Sequence, residues 1–344
     1  GFSLTTGGDN TFIGEEAGFY TTTGSDNTYV GANAGPGSNT STGGSNTAIG
    51  AASGAALTGG TNNTAVGHDS LAANTTASNN TAVGFRSLIA NTTGTDNTGL
   101  GRDTLFYQAT GSGNTAIGAT AGAGNGSFSF STYVGAGAGN ASVGDRNTAV
   151  GYLALNDGTT GNHNVMIGNV AGEKITTGSE NTAVGSGALD ALTTGQKNVA
   201  IGQAALSSAS SNDNVAIGKS CLASTTTGSE NAAVGESAGG AATTGGGHSL
   251  LGYQAGVGLT TGTLCTFVGH NAGQDATTGS YNTFVGQGTI AGTGNFGAGH
   301  LVTTGAKNTI LGGYNGNQNG FDIRELNNNI VLSDGDGNPR MIYN

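Results

Sequence analysis

The 344-residue sequence has no tryptophan, two prolines, two cysteines and nine lysine and arginine residues, and only 8% of its residues are charged. Phosphate binding depends on clustered basic residues, and those of this chain are scattered, so we expect no nucleic-acid partner. No apolar run approaches the ~18–20 residues that span a bilayer, so we expect no membrane insertion. Cys221 and Cys265 occupy different positions of the repeat described below, which favours small apolar fillers over a disulfide.

Residues for catalysis and metal binding are equally sparse. The five histidines lack the spacing of a zinc or iron site. Asp334, Asp336 and Asn338 alternate like the start of a calcium loop, but Pro339 replaces the usual glycine, so we interpret the segment as a hairpin turn. No pair of acidic residues stands in a context that forms a cleft. The sequence therefore predicts no catalytic residue, no metal site and no cofactor, and we do not expect an enzyme.

Glycine is abundant instead, with 68 residues, and much of it belongs to a repeated pentapeptide resembling Asn-Thr-Ala-Val-Gly. Thirteen of the 17 intervals between these anchors are 17 residues long, and the others are 19, 16, 16 and 26. A fixed period this short indicates a solenoid of stacked coils. The anchors begin at Asn10, Asn27, Asn46, Asn63, Asn80, Asn97, Asn114, Ser131, Asn147, Asn164, Asn181, Asn198, Asn214, Asn231, His248, Cys265, Asn282 and Asn308.

The fourth anchor position is the least variable, because it is always valine, isoleucine or leucine and is always followed by glycine. β-branched residues favour a short strand, and the glycine indicates a turn with positive φ or a close approach of two backbones. A second apolar step and a Thr-Thr-Gly turn follow, so we predict two short strands and two turns per coil. The residues that we assign to this structural repeat include Val66, Val83, Ile117, Val184, Ile201 and Ile217.

Both middle positions of the anchor are apolar, although neighbouring residues of a strand point to opposite faces. We therefore expect one face to line the coil interior and the other to contact a second subunit. A coil of 17 residues is also too thin to bury much core alone. The sequence predicts an all-β parallel solenoid, a β-roll, that associates with copies of itself.

The anchors resemble the head repeats of trimeric autotransporter adhesins, with Asn198–Gly202 and Asn214–Gly218 (Asn-Val-Ala-Ile-Gly) closest to the adhesin core. That resemblance implies a left-handed β-roll packed as an elongated homotrimer. The longer period, with Ala-Leu and Thr-Thr-Gly, looks like repeats of bacteriophage tail fibres. Residues 329–342 are similar to the segment that joins a fibre shaft to a C-terminal intramolecular chaperone.

Three regions follow from the pattern: a lead-in at residues 1–9, a repeat shaft at 10–312 and a C-terminal hairpin module at 313–344 that caps the last coil. The shaft is irregular at 286–307, where Asn295-Phe296-Gly297 reads as a degenerate anchor. In the C-terminal module we predict two strands, which are Ile330-Val331-Leu332 and Met341-Ile342-Tyr343.

Receptor contacts on a repetitive protein are expected where the pattern departs from itself. Residues 35–45 carry two extra residues, which predicts a longer surface loop. Phe128 and Phe130 alternate with serine, and we leave open whether they pack on a neighbouring subunit or form an aromatic sugar platform. Two aromatic pairs occupy repeat turns. The receptor-binding candidates are Phe19, Tyr20, Phe106, Tyr107, Phe128 and Phe130.

The leading hypothesis is a structural fibre protein of a phage tail, located in the virion, that mediates attachment to the host surface. Its expected partners are its own copies, other tail proteins, and a host glycan or outer-membrane receptor. The alternative is the head of a bacterial trimeric surface adhesin. A polysaccharide-degrading tailspike and an ice-binding protein are less favoured, the latter because the Thr-Thr-Gly steps lie in turns and are interrupted.

Overall fold

Each anchor forms one three-residue strand, and successive strands pair in parallel and in register as a β-solenoid of about 17 residues per coil. This confirms the fold class that the period predicts. The structure, a computed structural model, describes residues 2–35, 41–158, 160–290 and 294–343. Residues 36–40 of the loop expected at 35–45 lie outside this part. Among the described residues there is no helix, and thus none long and apolar enough to cross a membrane.

The chain divides into two compact units, which are residues 1–170 with 174–176 and residues 171–173 with 177–344. The first unit stacks ten strands in chain order: β1 (Thr11–Ile13), β2 (Thr28–Val30), β3 (Thr47–Ile49), β4 (Thr64–Val66), β5 (Thr81–Val83), β6 (Thr98–Leu100), β7 (Thr115–Ile117), β8 (Thr132–Val134), β9 (Thr148–Val150) and β10 (Val165–Ile167).

The second unit continues the same design with seven stacked strands: β11 (Thr182–Val184), β12 (Val199–Ile201), β13 (Val215–Ile217), β14 (Ala232–Val234), β15 (Ser249–Leu251), β16 (Thr266–Val268) and β17 (Thr283–Val285). Seven further strands complete it: β18 (Gln287–Ile290), β19 (Gly294–Gly297), β20 (Thr309–Leu311), β21 (Asn317–Gln318), β22 (Phe321–Asp322), β23 (Ile330–Ser333) and β24 (Pro339–Tyr343).

The prediction of two strands per coil is wrong, because the second apolar step turns instead of extending. In the coil that begins at Asn63, Asp69 and Leu71 have φ angles of 58° and 50°. Left-handed backbone of this kind is uncommon for leucine. The buried Leu71 is held there by its N–H, which donates to the Ser87 carbonyl at 3.0 Å in the next coil. The coil is therefore one short strand followed by a series of turns.

The glycine after each strand has both of the roles expected for it. Gly67 has a φ of 134°, and a Cβ atom built on it would lie 2.5 Å from the carbonyl oxygen of Gly84 in the next coil. An L side chain would therefore be strained by its backbone angle and would also overlap a neighbouring backbone.

The core is narrow and contains a ladder of buried asparagine side chains. Asn63 accepts hydrogen bonds at its Oδ1 from the backbone N–H (3.0 Å) and the Nδ2 (3.3 Å) of Asn80. Its own Nδ2 donates to the Ala77 carbonyl at 2.9 Å. Small residues and leucines complete the interior, among them the buried Ala65. The first anchor position is thus conserved along the chain because a buried amide must have its donors and acceptors paired.

The third and fourth anchor positions point to opposite sides of the strand, as strand geometry requires. The third position is buried inside the coil in nearly every repeat. The fourth points outward, so the six residues assigned to the structural repeat lie on the surface of the single chain. Its most exposed members are 36–58% exposed: Ile13, Ile49, Leu100, Ile117, Ile167, Ile201, Ile217, Val234, Leu251 and Leu311. We call the fourth positions of the anchors the outer aliphatic row.

The irregular segment of the shaft is an inserted hairpin. β17 pairs directly with β20, while β18 and β19 pair with each other in antiparallel fashion. Because Asn295, Phe296 and Gly297 lie in β19, the interpretation of these residues as a degenerate anchor is wrong.

A further coil that the spacing conceals lies near the C-terminus. β23 pairs in parallel with β20, and the Asn329 backbone N–H and Nδ2 each donate to the Asn308 Oδ1 at 2.9 Å. β24 then pairs antiparallel with β23, as the predicted hairpin requires. The asparagine ladder therefore extends one coil beyond the last recognised anchor, and β24 covers the free edge of β23.

Candidate functional site

The structure separates the two aromatic residues that alternate with serine. Phe128 is 1% exposed and packs edge-on against Tyr133, with ring centroids 5.3 Å apart. Its carbonyl accepts a hydrogen bond from Asn114 Nδ2 at 2.8 Å, at a position where most other coils have glycine or alanine. Phe128 is therefore no longer a receptor-binding candidate. Phe130 remains one, since it is 63% exposed beside the Arg146 guanidinium.

The Phe19 and Tyr20 pair lies near the start of the first unit. Phe19 stacks on Phe2 with ring centroids 5.3 Å apart, and Tyr20 meets Phe19 edge-on at 4.8 Å. Tyr20 is partly exposed. These rings form a small aromatic cluster, and they do not line either of the two cavities described below.

Phe106 and Tyr107 border a shallow cavity of about 290 Å³ in the first unit. Its walls come from successive coils, because residues 17 apart in the sequence stack on one another. One row supplies Arg86, Asp103 and Thr120, and a second row supplies Phe106, Ala123 and Asn140. Tyr107, next to Phe106, is 51% exposed at the rim. Ala123 stands between Phe106 and Asn140 in the second row, and its small side chain leaves the space that forms the cavity.

An ion pair between neighbouring coils fixes one wall of this cavity. Nε and Nη2 of Arg86 each lie 2.8 Å from Oδ1 of Asp103, whose side chain is only 8% exposed. Arg102 Nη1 donates to the other carboxylate oxygen of Asp103. The Arg86 guanidinium carbon lies 4.8 Å from the ring centroids of both Phe85 and Phe106. Arg86 is thus held by charge on one side and by two aromatic rings.

Sequence reasoning found Phe106 and Tyr107 but missed the charged and polar members of the cavity. The signal was present, since Arg86 and Asp103 are separated by one 17-residue period. In a solenoid with parallel, in-register coils, that separation makes two side chains neighbours, in the same way as spacings of three or four do on a helix.

A second cavity of about 290 Å³ lies in the C-terminal module, lined by Asp322, Arg324, Glu325 and Leu326. Arg324 binds Asp322 two residues away, and this hydrogen bonding holds the pKa of the Asp322 carboxyl below its usual range. All these groups are exposed and no aromatic ring lines the space. We regard this cavity as the weaker candidate site, because two of its charged residues, Asp322 and Arg324, already pair with each other within one turn.

No cluster of three or more histidine, cysteine or acidic side chains that could hold a metal is found among the described residues. The Asp334 carboxylate, considered above as part of a calcium loop, binds Asn338 and Arg340 within the hairpin turn. Burial raises the pKa of the Cys221 thiol to about 12, which leaves it protonated near neutral pH.

One stretch has the spacing of a serine nucleophile motif, Gly235-Glu236-Ser237-Ala238-Gly239. In hydrolases this motif joins a strand to a helix. Here Ser237, with a φ of 56°, occupies the same turn position as Asp103 and Ser220, and turns follow it. The stretch is one copy of the repeat.

Comparisons of the chain with protein-family models, with curated proteins and with solved structures return no match.

Proposed function

We propose that this chain is a structural protein of a phage tail fibre, in which three copies associate through the outer aliphatic row and mediate attachment to the host surface. In this function the protein is located in the virion and binds without catalysing a reaction. Three observations support it: the outer aliphatic row, the absence of charge from that face, and the cavity beside Phe106 and Tyr107.

The observation that carries the proposal is the outer aliphatic row itself. Exposed apolar side chains that form a continuous patch mark interaction surfaces. Here one valine, isoleucine or leucine projects from each of the anchor strands β1–β17 and β20, next to an outward residue two positions earlier that is usually threonine. None of these outward strand positions in β1–β17 or β20 is charged, although the chain has a formal net charge of −11. Protein interfaces are depleted of charge in the same way at their centres.

A second copy of the same chain is the partner that fits this surface best. The row repeats once per coil, at the strand spacing of ~4.8 Å, and another copy presents the same period. Closed symmetric assemblies are the rule for self-association, and resemblance to the adhesin heads favours three chains. The Asn-Val-Ala-Ile-Gly copies make a bacterial surface adhesin the second candidate.

Attachment to the host is supported by the cavity. Aromatic side chains beside a few fixed polar groups are typical of sugar-binding surfaces. Three copies of one such site on an assembly raise the effective affinity of a weak interaction, because binding of the second and third sites is intramolecular.

The assembly is tested by sedimentation velocity on the wild type and on a double variant, Leu100→Lys with Ile117→Lys. We expect three times the monomer mass for the wild type and a lower mass for the variant, since buried lysines lose hydration without a partner. Thr93→Lys with Thr110→Lys adds the same charge to exposed turns and should remain trimeric. A wild type that is a stable folded monomer at micromolar concentration contradicts the proposed assembly.

Attachment is tested separately by incubating the purified wild type with candidate host bacteria and measuring adsorption and competition with intact phage. A reducing-sugar assay on the same bacterial polysaccharides separates binding from degradation, and we expect no release. Sugar release that depends on the protein would favour the tailspike alternative.

A further inference from the structure

We propose that the cavity between Arg86, Phe106, Tyr107 and Asn140 binds an acidic sugar residue of a surface glycan. The carboxylate of the sugar would face Arg86 and the neighbouring Arg102. This assignment rests on the proposed attachment function and names the class of ligand for it. It follows from the charge at the cavity, the fixed position of Arg86 and the size of the space.

The two charged residues that line the cavity, Arg86 and Asp103, offset each other, and Arg102, which binds Asp103 from beside the cavity, leaves an excess of one positive charge there. Arg86 and Arg102 contribute two positive charges and Asp103 one negative charge, and both guanidiniums bind that carboxylate. The remaining lining residues are uncharged. Asp69 precedes Arg86 in the same row, but its carboxylate contacts Nδ1 of His68 and neither arginine. In a chain with 20 acidic and nine basic residues, this local excess favours an anionic ligand.

Arg86 is already placed to receive such a ligand. Its contacts with Asp103 engage Nε and Nη2, and among the hydrogen bonds of the described residues none engages Nη1. The rings of Phe85 and Phe106 hold its guanidinium plane. Because the side chain is ordered before binding, little further conformational entropy is lost when a carboxylate binds.

The other walls suit a sugar ring. The exposed ring of Tyr107 provides an apolar face for stacking, and Thr120 and Asn140 provide a hydroxyl and an amide for the ring hydroxyls. A volume of about 290 Å³ is at the lower end for ligand sites, so it suits one sugar residue and not a longer segment.

The test compares two probes that differ only in the carboxylate, methyl glucuronide and methyl glucoside, by calorimetry at low salt. We expect the wild type to bind the glucuronide about tenfold more tightly, since hydrogen bonds to charged groups are the stronger ones. Arg102→Gln should reduce glucuronide binding and leave glucoside binding unchanged, because Arg86 still pairs Asp103. Tyr107→Ala should weaken both probes.

Two matched controls come from the second unit. Lys219→Gln is the control for Arg102→Gln, because Lys219 has the same position in its coil. Tyr281→Ala is the control for Tyr107→Ala, because the two rings are similarly exposed. Neither should change binding of either probe. Circular dichroism and the trimer mass of each variant establish that it is folded.

Equal affinity for both probes, lost in Tyr107→Ala, overturns the acidic class while leaving a neutral sugar site. Failure to bind either probe overturns the site as a whole. The adsorption measurement on host cells distinguishes these results from failure of the proposed function, because a wild type that adsorbs without binding the probes attaches through another surface.

Discussion

The coil at residues 97–113 and the coil at 214–230 share one backbone but present different surfaces. Inside, each has a buried anchor asparagine and a buried leucine, Leu105 and Leu222, whose φ angles are 49° and 50°. Outside, the first coil carries Arg102, Asp103, Phe106 and Tyr107, and the second carries Lys219, Ser220, Ala223 and Ser224 at the same positions.

This difference shows how the solenoid divides its tasks. The inward positions determine the coil and recur in both units, whereas the outward turn positions vary without altering the φ angle at either leucine. Recognition is therefore expected to depend on a few outward side chains, and stability on the inward ones.

The largest effect is expected for the anchor asparagines, and it should be similar in both coils. Asn97 Oδ1 accepts hydrogen bonds from the backbone N–H and Nδ2 of Asn114, both at 3.0 Å, and Asn97 Nδ2 donates to the Gly111 carbonyl at 2.8 Å. Asn97→Ala leaves these buried groups without partners, at about 1–3 kcal/mol each. We expect a loss of about 4 kcal/mol in the free energy of unfolding, measured with urea.

Asn214→Ala provides the matched measurement in the second unit, because Asn214 makes the equivalent bonds to Asn231 and Gly228. Thr93→Ala is the control, since Thr93 is exposed, has no positive φ and should change stability by less than about 0.5 kcal/mol. A small loss at Asn97 together with a large one at Asn214 would show that the outward side chains also stabilise the first coil.

The glycine after each strand should give the next largest effect. Gly218 has a φ of 135°, and a Cβ there would lie 2.4 Å from the Gly235 carbonyl oxygen. Gly218→Ala is expected to cost about 3 kcal/mol through backbone strain and this overlap. At Gly59 the nearest atom to a Cβ is 3.8 Å away, so Gly59→Ala should be neutral or slightly stabilising. Equal urea midpoints for the two variants would contradict this explanation of the repeat.

Much of this inward design is readable from the sequence. The 17-residue period, the invariant aliphatic position and the following glycine together predict parallel coils, because each reports a constraint that recurs in every coil. Asn329 escaped recognition because 21 residues separate it from Asn308, and the longer connection hides a side chain that still joins the ladder.

The outward design is readable only after the coils are stacked. The alternation of serine with Phe128 and Phe130 is typical of a strand, but the chain turns there, so Phe128 points into the core and Phe130 outward. The prediction of a second strand per coil failed because side-chain propensity does not indicate that Leu71 adopts a left-handed backbone. Which neighbours Phe106 and Tyr107 have depends on residues one and two periods away.

A smaller, pH-dependent effect is expected where histidine replaces the anchor asparagine. Burial lowers the pKa of His248, and the nearby Gly262 backbone opposes this only in part. Below the ordinary histidine pKa of about 6.5 the unfolded chain therefore binds the proton first, so stability falls as the pH decreases and is constant above it. The slope is at most about 1.4 kcal/mol per pH unit for one such group.

His248→Asn restores the anchor and should remove this contribution, so urea unfolding between pH 7.5 and 5 should show a shallower dependence. A residual slope is expected from His300, whose pKa burial also lowers while Asp275 opposes the shift. Identical slopes for the wild type and the variant would mean that protonation of His248 costs the folded coil nothing.

The smallest expected change in the free energy of unfolding compares one outward side chain from each of the two coils. Arg102 and Lys219 stand at the same coil position, and both side chains are 60% exposed. Lys219 lies 3.7 Å from an exposed Glu236 carboxylate, so Lys219→Ala should change the free energy of unfolding by less than about 0.5 kcal/mol. Arg102→Ala removes one of two partners of the nearly buried Asp103 and should cost about 1 kcal/mol. Equal values from parallel urea titrations would mean that Arg86 alone satisfies Asp103, in which case Arg102 is held at the cavity only loosely.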